Sequence, residues 1–182
     1  MDMPVTLVNA AGEPVSVIEN GDMVDLKVTL PVRGKLVLFD YNSNDVLTQL
    51  YPNPMEAEGA WPVREAGEEV YLARDIFGEP GLQAGPPLGP QSMIAMVVPE
   101  DARLPVSPQR GFSEISAPVD YITRLVRTAL RQQESVRGLF RIAADEEAGA
   151  DEAANLTPHL AMGVLNYCID SRICGAQDAT EN

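Results

Sequence analysis

Along the first hundred residues, apolar side chains recur at every second position in short runs. Val24, Leu26, Val28 and Leu30 alternate with Asp25, Lys27 and Thr29, the period of a strand with one buried and one wetted face. Leu36 to Tyr41 and Val46 to Tyr51 are two further apolar runs, separated by Asn42-Ser43-Asn44-Asp45. Those four residue types tolerate left-handed backbone and bond their own main chain, so the spacing predicts a central β-hairpin. Val5 to Val8 and Val15 to Ile18 read as short strands, and Asn20-Gly21 as a hairpin turn. Glu69 to Ala73 reads as another strand. Gln91 to Val98 is continuously apolar near its end, which suits a strand covered on both faces.

The period changes after Ser116. Ile122, Leu125, Val126, Ala129 and Leu130 recur at helical spacing, with Arg124, Arg127 and Arg131 in a displaced second stripe. Pro118 and Asp120 suit the first turn, so an amphipathic helix is predicted over residues 118–133. Val136 to Ile142 reads as a strand returning to the sheet. Residues 144–182 read as an acidic linker and a C-terminal tail, with Thr157-Pro158 capping a short helix that runs to about Tyr167.

About seven to nine short strands with frequent turns predict a mainly β fold: an antiparallel immunoglobulin-like β-sandwich carrying one helix. The expected sandwich domain spans residues 1–143. Its expected core is Val24, Leu26, Val28, Leu36, Leu38, Leu47, Leu50, Ile94, Met96, Leu125, Phe140 and Ile142.

Composition fits this picture. The 15 Pro and 14 Gly suit many turns, and the 45% apolar fraction is that of an ordinary globular chain. The net charge of −14 argues against nucleic acid and against an anionic membrane surface. Charge is uneven. Residues 1–110 hold 7 basic against 16 acidic groups, residues 111–142 hold 5 against 3, and residues 143–182 hold 1 against 8. A basic segment thus lies between two acidic ones. No apolar run reaches the roughly 18 residues of a membrane span, and Met1-Asp2-Met3-Pro4 does not resemble a secretory leader. The expectation is a cytoplasmic protein as written, or a periplasmic or surface domain if the chain is excised from a longer precursor.

Candidate chemistry is sparse. Cys168, Cys174 and His159 are too few for a structural zinc site, and no peptidase signature surrounds either cysteine. The two cysteines read as free thiols or as one local bridge. Asp40-x-Asn42-x-Asn44 spaces oxygen ligands like half a calcium loop, but Asp45 and Tyr51 stand where that loop needs Gly and Glu. The stretch therefore reads as a turn, with no metal and no cofactor expected. The Arg124, Arg127 and Arg131 stripe is a candidate docking face for a protein partner or for the acidic tail. Trp61 and Tyr71, near proline-rich loops, are candidates for a peptide groove.

Four stretches carry a resemblance. They are the Gly21-Asp22 entry to a long strand, Gly34 to Asp40, Val46 to Asn53, and Pro87 to Met96. In this order they resemble a bacterial domain of unknown function. That domain is appended to caspase-like peptidases and Ser/Thr kinases and also occurs in secreted or envelope proteins. Its central turn usually holds Asp-Gly, where Asn44-Asp45 stands here. The resemblance covers about half the chain and implies a non-catalytic accessory domain with no catalytic residues of its own. The alternative is a free-standing ligand- or glycan-binding envelope protein.

Overall fold

The structure is a computed structural model that describes residues 2–52, 61–101, 113–115, 117–127 and 160–175. Its strands are β1 (Val5–Asn9), β2 (Pro14–Val15), β3 (Val17–Ile18), β4 (Met23–Thr29), β5 (Gly34–Tyr41) and β6 (Leu47–Tyr51). They continue through β7 (Val63–Arg64), β8 (Glu69–Tyr71), β9 (Leu82–Gln83), β10 (Gly89–Val98), β11 (Ser113–Ile115) and β12 (Ala161–Ile169). A π-helical turn spans Leu72–Phe77. Residues 118–127 form α1, and Ser171–Cys174 form the one-turn α2.

Two sheets result. The smaller runs β2-β1-β4-β8, with β9 also paired to β4. The larger runs β11-β6-β5-β10-β12-β3, with β7 paired to the start of β5. Among the described strands all pairings are antiparallel except β3 on β12, and the isolated Asp2–Met162 bridge is also parallel. The alternation read from β4 is observed, with Val24, Leu26 and Val28 buried. They share one buried cluster with Leu36, Leu38, Met93, Ala95 and Val97 of the large sheet, so this core lies between the sheets.

The opposite face of the large sheet is also covered. Val37, Phe39, Leu47, Met96 and Val98 form a second cluster with Leu125 of α1. The Tyr121 ring meets Phe39 edge-on at 5.9 Å between centroids, and its hydroxyl donates to Gln49 Oε1 at 3.1 Å. Burial on both faces is why the end of β10 is apolar without interruption. Leu50 and Ile94 are half-buried rather than buried; Leu50 is the extra residue where the β5–β6 register shifts between Leu38 and Phe39. The core positions expected at Phe140 and Ile142, the strand over 136–142 and the last turns of the helix lie outside the described residues.

Three expectations are corrected. The Val15 to Ile18 segment is two short strands in different sheets, since β2 pairs with β1 and β3 with β12. The Asn20-Gly21 turn forms, with Gly21 at φ 97°, but it joins β3 of one sheet to β4 of the other and closes no hairpin. The short helix expected to run to Tyr167 is replaced by β12. Ala161 to Ile169 pair residue by residue with Val97 to Gly89, so this part of the expected tail belongs to the large sheet. Gly163 permits the close passage of the N-terminal segment: a Cβ there would collide with the Met3 carbonyl, and Met3 N–H donates to the Met162 carbonyl at 3.2 Å.

Candidate functional site

The inward face of β5 carries Leu36, Leu38 and then Asp40, two residues apart each time. Leu36 and Leu38 are buried in the core. Asp40 lies where the two sheets part, in a cleft of about 430 Å³ at that end of the inter-sheet core. Residues from both sheets line it. Leu7, Val24 and Leu82 face it from the small sheet, while Thr48, Met93 and Tyr167 face it from the large one. Phe77 and the Gly85-Pro86-Pro87 loop complete the walls.

Tyr167 approaches Asp40 from two strands away, over β10. Its hydroxyl donates to Asp40 Oδ1 at 3.2 Å. Burial pushes the Asp40 carboxyl up from 3.8 to about 6, against the opposing pull of the Tyr167 hydrogen bond. Burial also pushes the Tyr167 phenol well above its ordinary value, and the neighbouring Asp40 charge adds to this.

Local turn chemistry holds the rim. The Ala84 carbonyl accepts from Gly21 N–H, and Ala84 N–H donates to the Asp22 carbonyl, both at 2.8 Å. The Gln91 amide donates to the Pro87 carbonyl, and Ser43 Oγ donates to the Leu88 carbonyl at 2.8 Å. Behind Tyr167 the chain turns at Asp170, whose φ is 79°. The buried Asp170 carboxylate accepts from Arg172 Nε at 2.9 Å and pairs with its guanidinium, which holds the acid below its ordinary range despite desolvation. Cys168 and Cys174 are joined as a disulfide across this turn, with Cα atoms 6.5 Å apart. Of the two cysteine readings, the local bridge is the one observed.

The residues singled out for other roles do not converge. Asp45 takes the αL conformation expected of the turn, at φ 61°. Its carboxylate accepts from Tyr41 at 2.9 Å, while Asp40 bonds to Tyr167. Among the described residues, no group of three acidic, His or Cys side chains comes together. Trp61 and Tyr71 sit apart. Trp61 packs against both core clusters and donates its Nε1–H to the Leu36 carbonyl at 2.8 Å. Tyr71 lies on the small sheet, with the Arg74 guanidinium 3.9 Å from its ring centre. Neither lines the cleft. Arg124 and Arg127 are exposed on α1, and Arg131 lies outside the described residues. Among the described residues no helix is long and apolar enough to cross a membrane.

Asp40 and Tyr167 were not paired from the sequence, because 127 positions separate them. One signal was present: the alternation of Leu36, Leu38 and Asp40 puts a carboxylate on the inward face of a core strand. Compared with protein-family models, curated proteins and solved structures, the chain matched nothing.

Proposed function

We propose that this chain is a non-catalytic binding domain whose open sandwich end holds a small, largely apolar ligand. The observation that carries the reading is the cleft itself: about 430 Å³ of mostly apolar wall around one carboxyl–phenol pair. Small-molecule sites have this character, apolar walls with a few placed polar groups, and volumes from about 300 to 1,000 Å³. The described lining supports binding rather than catalysis, since among its residues it offers one carboxyl and one phenol held protonated but no Cys, His, Lys or Ser.

The immunoglobulin-like character of the sandwich is part of the same proposal. Its support is the strand arrangement: β6-β5-β10-β12 in one sheet, β1-β4-β8 in the other, with β3 crossing over to lie parallel on β12. The resemblance carried by Gly21-Asp22, Gly34 to Asp40, Val46 to Asn53 and Pro87 to Met96 supports an accessory role beside a peptidase, a kinase or an envelope complex, with a protein partner. The exposed Arg124 and Arg127 would then dock that partner. The Cys168–Cys174 bridge favours the periplasmic or surface setting, where disulfides persist.

The test is amide shift mapping with a library of small apolar fragments. Fragments that move Leu50, Ala84, Met93 and Tyr167 together, and lose that effect in Thr48→Phe, support the reading. A library in which no fragment perturbs these residues overturns it.

A further inference from the structure

We propose that the cleft recognises a primary ammonium group carried on an apolar body, with Asp40 as its counter-ion. This deepens the binding reading above and rests on it. Among the described residues that line the cleft, Asp40 is the only carboxylate and none is Lys, Arg or His. Among the described residues Asp40 has no ion-pair partner; Tyr167 supplies its hydrogen bond at Oδ1, and no donor meets Oδ2. A half-buried carboxylate in a cleft shared with Leu7, Val24, Leu50, Phe77, Leu82 and Met93 is partly shielded from water, so a cation brought beside it meets a stronger attraction than in bulk water.

The geometry narrows the cation. With Oδ1 taken by the phenol, one oxygen is left. A planar guanidinium prefers two parallel bonds to both carboxylate oxygens, whereas an ammonium is satisfied by one plus other acceptors. Thr48, which pairs with Asp40 across β5 and β6, brings a hydroxyl to the same lining. Anionic groups are disfavoured twice. The described lining offers them no cation, and the chain's net charge of −14 repels them. A free amino acid, with its own carboxylate, fits worse than an amine lacking one. Two sources share the favoured chemistry: a free hydrophobic amine, and the amino terminus of a peptide whose first side chain is apolar.

Calorimetric titration of the full chain at about pH 7.5, where the carboxyl is largely ionised, separates these possibilities. The probes share one body: phenethylammonium, phenethyl alcohol and hydrocinnamate. A charge-assisted hydrogen bond predicts that the ammonium binds about ten-fold or more tightly than the alcohol, with the carboxylate weakest. In Asp40→Asn the ammonium should fall to the affinity of the alcohol, while Tyr167→Phe should keep the preference. Equal binding of ammonium and alcohol, or a preference that survives Asp40→Asn, overturns the ammonium assignment and leaves the cleft a neutral apolar site. Binding by none of the three overturns the binding reading together with it. A tripeptide amide beginning with phenylalanine, free or acetylated at its amine, gives the source: tighter binding of the free peptide than of phenethylammonium assigns a chain terminus, and the reverse assigns a small amine.

Discussion

The two ends of the inter-sheet core are built on the same strands and reach opposite outcomes. At the closed end Leu36 and Leu38 of β5 are sealed in one cluster with Leu26, Val28, Val70 and Val97, each at most 1% exposed. At the open end the next inward residue of β5 is Asp40, and the sheets part around it. Packing holds the closed end. The open end is held by turns, by the Ala84 and Gln91 bonds of its rim and by the bridge beside Tyr167. A half-buried acid weakens a core, so its presence at one end marks a place where the fold gives up stability. Such places concentrate at functional sites.

The largest expected effect is at the closed end. Leu38→Ala should cost about 2–5 kcal/mol by loss of burial and cavity formation. Leu50→Ala, at the half-buried open end, should cost only about 1 kcal/mol. Urea denaturation of both variants measures the contrast, and equal losses would erase the distinction between the ends.

Replacing both Cys168 and Cys174 with Ser should lower stability by about 2 kcal/mol, because the bridge closes a short loop in the unfolded chain. The native protein should show no reactive thiol before reduction. The loss should appear without any change in the packing around Leu38.

Asp40→Asn sharpens the comparison through pH. The folded-state carboxyl titrates at about 6, above its ordinary 3.8. The stability contributed by its protonated form is therefore complete below pH ~4 and lost as pH rises through about 6. At about pH 8 the amide should be more stable than the acid by about 1–2 kcal/mol, and the difference should vanish below pH ~4. A gain that persists in acid would mean that burial of the charge is not its cause.

The smallest effect is expected away from both ends. Arg127, exposed on α1, should change stability by less than about 0.5 kcal/mol when replaced by Ala. The same change should weaken capture of a protein partner if the arginine face docks one. A loss comparable to that of Leu50→Ala would instead make Arg127 part of the fold.

What the sequence determined by itself is local. Period two in Met23 to Thr29 and Gly34 to Tyr41 requires strands with one buried face, because successive side chains point to opposite sides of a pleated backbone. The Asn42 to Asp45 turn and the apolar stripe of α1 follow equally from nearby residues. What only the tertiary structure decided is the fate of segments whose local pattern is ambiguous. Leu160, Val164 and Tyr167 are spaced for a helix face. Yet Ala161 to Ile169 becomes a strand, because the exposed edge of β10 offers a nine-residue ladder of hydrogen bonds and strand preference depends on the surface it meets. Val15 and Val17 part into different sheets for the same reason, each satisfying its backbone on the nearest available edge. The candidate site belongs to this second kind. Asp40 reads locally as the approach to a turn. It becomes a half-buried acid facing a phenol only when β12 docks beside β10 and carries Tyr167 over it, a meeting set by strand order and not by neighbours in the chain.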